Sequence, residues 1–317
     1  MTIPHSPVGS FVFAGDTYCD LVFSGAELPG VGEESWASGF RIAPGGVATR
    51  AVASARTGGS AVLFSRLGDD PLGAYTHRVL QDEPRLDTSS VVVVRGAQSP
   101  VSVAVSGAHD RSFITYEERL PDLPVPSAQT RYAAVQVSLS EAGVPTWVAD
   151  QRAAGARVYG GVGWDGTGKW DLDLSALLTD VDVFIPNELE AARYSRLHDP
   201  RAAVKWLANF VPLAIVTMGK RGVVAVDSAN DVFVELPAAV VESRDPTGAG
   251  DVFTGALVTA ASWNIDLRTQ LLIASLAASI SVTRLGGATS APTWTEIVEF
   301  AHRIGADELS SIDPVLI

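Results

Sequence analysis

The 317-residue chain predicts an α/β fold with three layers, in which helices cover both faces of a mainly parallel central sheet. From about residue 132 onward, apolar strand-like runs alternate with helical patterns, which is typical of parallel strands joined by helices. Two further patches, near 21–42 and 89–116, contain short strand-like runs and turn residues. They predict a small antiparallel sheet that acts as a lid on a single domain spanning residues 1–317.

The first half of the chain predicts elements of both types. A buried strand over 8–15 ends in a turn, a helix over 48–56 precedes a strand over 60–65, and a second helix follows Pro71. The remaining predicted strands cover 89–94, 101–106, 112–116, 132–137, 157–159, 181–185 and 213–217. From Asp251 onward the pattern is largely helical.

Charge and cysteine content exclude several classes of protein. The net charge is −13 and no block of basic residues occurs, so we expect no nucleic-acid partner and no anionic membrane partner. A single cysteine, Cys19, leaves no internal disulfide and no cysteine-rich metal site. The N-terminus lacks a signal-peptide pattern, and the apolar stretch 271–282 is too short to span a bilayer. These features predict a cytoplasmic protein.

Residues 245–251 combine a glycine-rich turn with an acid. The motif is Asp245-Pro-Thr-Gly-Ala-Gly-Asp251, and apolar spacing after it predicts a helix from about Gly250. Free amides at such a helix start bind anions. Asp251 would repel a bound phosphate, so its position favours a base that takes a proton from an attacking hydroxyl. An acid that merely stabilises the helix dipole is the alternative.

Two shorter motifs follow predicted strands. In Pro186-Asn-Glu-Leu-Glu190, Asn187 and Glu190 can form a capping box, or Glu188 and Glu190 can hold the water shell of Mg²⁺ beside a nucleotide. The run from Thr217 to Gly222 is either a hairpin-like turn or a loop whose backbone lines a nucleotide phosphate.

A polar cluster early in the chain suits a polyol. Gly45 and Gly46 would let it approach the backbone, Arg50 would donate to its oxygens, and Asp16 or Asp20 would accept its hydroxyl protons. A turn and solvated side chains are the alternative. Between 160 and 170, a dinucleotide-like and a P-loop-like glycine pattern both lack the helix or hydroxyl that they require; we expect a loop near a cleft there.

Taken in this order, the motifs resemble the ribokinase family, or PfkB-type carbohydrate kinases, over nearly the whole chain. The resemblance implies a ribokinase-like fold, with Asp251 as catalytic base and the amides of Gly248, Ala249 and Gly250 as anion hole. It places Asn187 and Glu190 at Mg²⁺ and phosphate. The other implied residues are Thr217, Gly219 and Gly222 at the nucleotide, Asp20, Gly45 and Gly46 at the sugar, and Asp245 and Thr247 at a monovalent cation such as K⁺.

The acceptor end departs from the family pattern. Arg50 occupies the position of the family's sugar-binding asparagine, and residues 162–167 replace an Asp-x-Asn-x-Arg-like stretch. Arginine suits a carboxylate or phosphate, so either the substrate is acidic or phosphorylated, or Arg50 reaches a different hydroxyl. We therefore expect an ATP- and Mg²⁺-dependent kinase of a sugar-like molecule, a homodimer through the lid. A non-catalytic sugar- or nucleotide-binding protein of the same fold is the alternative.

Overall fold

A ten-stranded central sheet organises the computed structural model, which describes residues 9–107, 111–127, 129–139, 143–306 and 309. The described strands of the whole protein are β1 (Phe11–Ala14), β2 (Thr17–Ser24), β3 (Gly39–Gly46), β4 (Ala61–Gly68), β5 (Leu86–Asp87), β6 (Val91–Val94), β7 (Val101–Ser106), β8 (Arg111–Tyr116), β9 (Ala134–Ser138), β10 (Arg157–Gly161), β11 (Val183–Phe184), β12 (Leu213–Thr217), β13 (Val223–Asp227) and β14 (Val232–Leu236).

The central sheet is mixed but mainly parallel. Its order is β14-β13-β12-β11-β10-β9-β1-β4-β5, and β6 pairs with a second stretch of β4. Every neighbouring pair from β12 to β5 and β6 is parallel, whereas β12, β13 and β14 form antiparallel hairpins. The predicted α/β class with a mainly parallel sheet is confirmed.

Helices cover both faces of this sheet. They are α1 (Val47–Thr57), α2 (Pro71–Gln81), α3 (Thr146–Ala153), α4 (Leu174–Leu177), α5 (Glu188–Ser195), α6 (Pro200–Leu207), α7 (Ala249–Ala260), α8 (Leu267–Ser281), α9 (Gly287–Ser290) and α10 (Trp294–Arg303). In β1, Phe11 and Phe13 enter one apolar core while Val12 and Ala14 enter the other, because successive side chains of a strand point to opposite faces. No helix in the described part of the chain is long and apolar enough to cross a membrane.

The small sheet differs from its prediction in two respects. Its order is β3-β2-β7-β8, and β2 pairs with β7 in parallel, so the sheet is mixed rather than antiparallel. The strand predicted over 89–94 does not belong to it, because Val91–Val94 pairs with β4 at the edge of the central sheet. Local sequence identifies a strand, but its partner depends on the path of the chain between strands.

Candidate active site

Helices α1 and α7 lie in close contact, and this contact positions two candidate residues. A Cβ atom at Gly255 would lie 2.1 Å from the backbone oxygen of Arg50, so only glycine permits this approach. One turn further, the hydroxyls of Ser54 and Thr259 hydrogen-bond at 2.8 Å. Asp251 lies four residues before Gly255, and Arg50 lies four residues before Ser54, so both project from the same helix contact toward the loops.

Arg50 and Asp251 form an ion pair. Arg50 Nε donates to Asp251 Oδ1 at 2.6 Å, and Arg50 Nη1 reaches Ser138 Oγ at 3.4 Å. The two side chains keep 16% and 28% of their surface exposed, respectively, so both remain accessible from solvent. Sequence reasoning missed Ser138, although it ends β9 at the same sheet edge where Thr217 ends β12.

The start of α7 has the geometry expected of an anion site. Gly248 precedes the helix with φ at 74°, which favours glycine, and a Cβ at Gly250 would meet no atom within 4 Å. Among the described residues, the amides of Gly248 and Gly250 have no acceptor, whereas the Ala249 amide donates to the Pro246 carbonyl at 3.3 Å. The Ala249 amide would therefore have to exchange a partner to bind an anion.

Asp245 fixes the loop before α7 from inside the protein. Its Oδ1 accepts from the Thr247 amide at 2.9 Å and from Ser106 Oγ at 3.3 Å, and its Oδ2 accepts from the Gly286 amide at 2.9 Å. Ser106 belongs to β7, so the small sheet contacts the glycine-rich loop directly. The Thr247 hydroxyl is buried and has no partner within the described residues, and an oxygen of that kind is a ligand suited to an alkali cation.

Asp20 lies in β2 on the inner face of the small sheet. It is almost fully buried, and none of the described residues donates a hydrogen bond to its carboxyl. Burial, and then the charges of Asp251 and Asp245, raise the pKa of Asp20 to about 8. A Cβ at Gly45 would lie 2.2–2.3 Å from the Asp20 carboxyl atoms, so this glycine makes room for the acid. The raised pKa favours the protonated form of the Asp20 carboxyl at neutral pH.

Two neighbouring residues, Asp16 and Gly46, contribute to the local structure. Asp16 is paired with Arg66, which leaves Asp20 as the acid available to a ligand. Gly46 precedes α1 with φ at 62°, and a Cβ there would lie 2.4 Å from the Asp16 carbonyl oxygen. The turn at Gly46 therefore requires glycine for steric reasons.

Asn187 and Glu190 form the capping box that the sequence allowed. Asn187 Oδ1 accepts from the Glu190 amide, and Glu190 Oε2 accepts from the Asn187 amide, both at 2.9 Å. Burial raises the pKa of Glu190 to about 7, although the Asn187 amide and the Arg50 charge oppose the rise. A divalent cation would favour the ionised form, so a cation site beside Glu190 fits this carboxyl. Within the described residues, no three His, Cys, Asp or Glu side chains cluster as metal ligands.

The predicted nucleotide loop has the conformation of a hairpin turn between β12 and β13. The Met218 amide donates to the Gly222 carbonyl at 2.7 Å, and both Gly219 and Gly222 have positive φ. A Cβ at Gly222 would lie 2.0 Å from Leu236 O, whereas a Cβ at Gly219 would meet nothing within 4 Å. Thr217 bridges to Asn187 in parallel, so the two predicted motifs lie side by side at the carboxyl edge of the sheet.

The loop over 162–171 is held by hydrogen bonds between its own residues and does not start a helix. The Asp165 carboxylate accepts from the amides of Thr167 and Trp170, and Trp170 is buried against Trp164 and Tyr194. Trp164 remains exposed. As expected, neither of the two glycine patterns here forms a helix-capped phosphate loop.

A model of the pfkB family of carbohydrate kinases matches residues 10–294 of this chain. The chain belongs to this family. It is therefore a carbohydrate kinase, a phosphotransferase with an alcohol group as acceptor. Ribokinase of Haemophilus influenzae is 26% identical to it over 297 residues, which cover 90% of this chain and 96% of that protein.

Solved structures share the fold. A protein of Agrobacterium tumefaciens assigned as a ribokinase superposes with a TM-score of 0.82 at 22% identity, covering 94% of this chain and 99% of the other. An Escherichia coli protein assigned as ribokinase II, solved in complex with ATP and Mg²⁺, superposes with a TM-score of 0.74 at 21% identity, covering 93% and 100%. The likeness confirms the ribokinase-like fold.

Proposed function

We propose that this carbohydrate kinase uses ATP and that Asp251 is its general base. The observation that carries the proposal is the position of a partly exposed aspartate in the first turn of α7, beside the amides of Gly248 and Gly250 that have no acceptor among the described residues. An acceptor hydroxyl would transfer its proton to Asp251 while its oxygen forms a bond to the γ-phosphorus. The bond from that phosphorus to the β–γ bridging oxygen breaks, and ADP leaves.

The amides at the start of α7 would stabilise charge on the transferred group. Preorganised backbone donors on the positive end of a helix dipole suit this task. Gly248, Gly250 and, after exchange of its partner, Ala249 would supply them. The Asp245 contacts to the Thr247 and Gly286 amides hold this loop in place, and the buried Thr247 hydroxyl supports the proposal of a monovalent cation, such as K⁺, beside it.

Asn187 and Glu190 would hold Mg²⁺ through water next to the nucleotide, and Thr217, Gly219 and Gly222 would lie along its phosphates. Mg²⁺, when bound, supplies positive charge that neutralises the phosphates. The ATP and Mg²⁺ of the Escherichia coli structure support this assignment, as do the parallel bridge between Asn187 and Thr217 and the charge interaction between Glu190 and Asp251.

Asp20, Gly45 and Gly46 would hold the acceptor under the small sheet. The inner face of that sheet carries Asp20 and, through Ser106, touches the loop before α7. A sheet in this position would act as a lid that excludes water, since hydrolysis of ATP competes with transfer to the sugar.

The outer face of the small sheet supports a homodimer. Phe23, Phe40, Val103, Val105 and Ile114 share this face by strand register, and Phe40 and Ile114 are more than half exposed. An apolar face of this kind favours pairing with a second copy. Light scattering after size exclusion tests the idea: a monomer at micromolar concentration would remove it.

Replacement of Asp251 by asparagine tests the proposed mechanism. Asn cannot accept the hydroxyl proton, so turnover should fall about 10²- to 10⁴-fold, the usual contribution of a general base. A coupled ADP-release assay over a panel of sugars, sugar acids and nucleosides measures it. Near-full activity of Asp251→Asn on the best acceptor would exclude Asp251 as the base.

A further inference from the structure

The contact between α1 and α7 fixes the position of the Arg50 backbone. Its backbone oxygen lies against Gly255, and the Ser54–Thr259 hydrogen bond fixes the next turn of the same contact. The guanidinium therefore reaches Asp251 from a rigid helix pair rather than from a loop. A positive charge so placed lies next to the proposed base.

The ion pair occupies one of the two carboxylate oxygens of the proposed base. Arg50 Nε donates to Asp251 Oδ1 at 2.6 Å, and a charged donor binds a carboxylate more strongly than a neutral hydroxyl does. A neutral acceptor would meet a base whose charge the guanidinium already neutralises and whose Oδ1 is bonded. An acceptor that offers Arg50 another carboxylate would instead exchange partners with Asp251, because an arginine binds such a group through two parallel hydrogen bonds.

Small residues lie beside the guanidinium on the side away from Asp251. Arg50 Nη1 extends toward Ser138 and toward Gly161, and a Cβ at Gly161 would still lie 3.9 Å from Nη1. A Cβ at Gly163 would meet no atom within 4 Å. The ends of β9 and β10 thus present a short hydroxyl side chain and glycines beside the guanidinium.

The surrounding charges favour a carboxylate over a phosphate. The one guanidinium is already paired with Asp251 and also interacts electrostatically with Glu190, on which Asp251 acts as well. A carboxylate brings one negative charge, which Arg50 neutralises, whereas a phosphate brings about 1.5 to 2 near neutral pH. The excess charge would face the same acids.

We infer that the acceptor is a sugar acid, that Arg50 binds its carboxylate, and that this binding releases Asp251 to accept the proton of the reacting hydroxyl. The inference rests on the proposed function, because it assigns the acceptor of the same site. It makes Arg50 both the residue that selects the substrate and the residue that pairs with the base until the substrate binds.

Matched pairs of acceptors test the inference. The panel contains aldonic and uronic acids of five and six carbons, each beside its neutral aldose, with D-ribose 5-phosphate as the phosphate arm. Charge-assisted hydrogen bonds contribute about 1.5–3 kcal/mol, so the wild type should favour the best acid over its aldose by about 10- to 100-fold in kcat/KM. Arg50→Gln should bring this ratio close to one, and Arg50→Lys should retain part of it.

Controls separate recognition from stability. Arg201→Gln, which removes an exposed arginine paired with Glu235 on the far helix α6, should leave the ratio unchanged. The thermal midpoint of Arg50→Gln shows whether that variant folds, and Arg50→Lys keeps the test valid if it does not. The exposed Arg41 on β3 is a second arginine that could bind a carboxylate. The inference would be overturned if Arg41→Gln lost the preference in kcat/KM for the acid over its aldose while Arg50→Gln kept it.

Binding distinguishes failure of the inference from failure of the proposed function. Calorimetry in the presence of a non-hydrolysable ATP analogue should show that the wild type and Asp251→Asn bind the sugar acid. Arg50→Gln should not bind it. Acid binding that depends on Arg50, without turnover of any acceptor, would sustain Arg50 as the carboxylate-binding residue and refute the proposed mechanism. Turnover of neutral aldoses equal to or better than that of every acid, or a preference for the sugar phosphate, would overturn the inference alone.

Discussion

Replacement of Asp20 by asparagine should stabilise the ligand-free protein, and the gain should grow with pH. In the folded state, burial and the charges of Asp251 and Asp245 raise the pKa of this carboxyl from 3.8 to about 8. Between these two pH values the unfolded chain loses the proton while the folded protein keeps it. Because the folded state binds more protons, the free energy of unfolding falls as pH rises.

The magnitude follows from the size of the shift. Each pH unit in this window corresponds to about 1.4 kcal/mol for one proton. Roughly three units lie between the ordinary value of 3.8 and pH 7, so Asp20 should cost the folded state about 4 kcal/mol at pH 7 relative to acid pH. Asparagine does not titrate, so this cost is absent from Asp20→Asn.

Urea unfolding of both proteins at pH 5, 6, 7 and 8, without ligands, measures the effect. The difference in free energy of unfolding, variant minus wild type, should increase by about 1.4 kcal/mol per unit up to pH 7 and level off above pH 8. Asp122→Asn, at an exposed position, should give a difference that does not depend on pH. A flat or falling difference for Asp20→Asn would refute the reasoning.

Three further substitutions test the geometry of the site. Gly255→Ala would bring its Cβ within 2.1 Å of Arg50 O, so it should separate α1 from α7, lower the stability by about 1–3 kcal/mol in urea unfolding and reduce kcat. Gly45→Ala should displace the Asp20 carboxyl and raise the acceptor KM about 10-fold or more, the equivalent of one charged hydrogen bond. Glu190→Gln should raise the half-saturating Mg²⁺ concentration about 10- to 100-fold. In the wild type that concentration should also rise as pH falls through about 7, the pKa of Glu190, because the protonated carboxyl does not attract the cation; in Glu190→Gln this pH dependence should disappear.

The control for these substitutions is a glycine with open space around it. Gly166→Ala places its Cβ where no atom lies within 4 Å, so it should change neither stability nor acceptor KM. Unchanged stability of Gly255→Ala would mean that the two helices do not need their close approach. An acceptor KM unaffected by Gly45→Ala would place the sugar elsewhere, and Mg²⁺ dependence unaffected by Glu190→Gln would leave that residue only its capping role.

The sequence predicted the central sheet because each of its parallel strands is a separate apolar run. The sequence correctly predicted a strand at residues 91–94 but assigned it to the wrong sheet. Four valines in a row indicate a strand, but they contain no alternation that would show which face is buried. Only Val91 of the four is buried, and the strand lies at the edge of the sheet beside β4. Pairing of that kind depends on long-range packing that a local pattern does not contain.

The site was predictable where its residues share a motif and was missed where they meet only in the fold. Asp251 and the glycines before it are adjacent in sequence, so the sequence alone predicts the candidate anion site. The Arg50–Asp251 pair joins residues about 200 positions apart. The helical spacing that links Asp251 to Gly255 and Arg50 to Ser54 was present in the sequence, but it identifies two helix faces without showing that they touch.

Asp245 and Asp20 are both buried, but the protein supplies hydrogen-bond donors to only one of them. This difference indicates which of the two carboxyl groups is suited to bind a ligand. Three donors bind the Asp245 carboxylate, so its desolvation is offset by hydrogen bonds within the protein. Asp20 receives no donor from the described residues and has the raised pKa. An acid left in this state costs stability, and hydroxyl groups of an acceptor would supply the missing donors. Asp245 therefore builds the loop, whereas Asp20 is suited to bind the substrate.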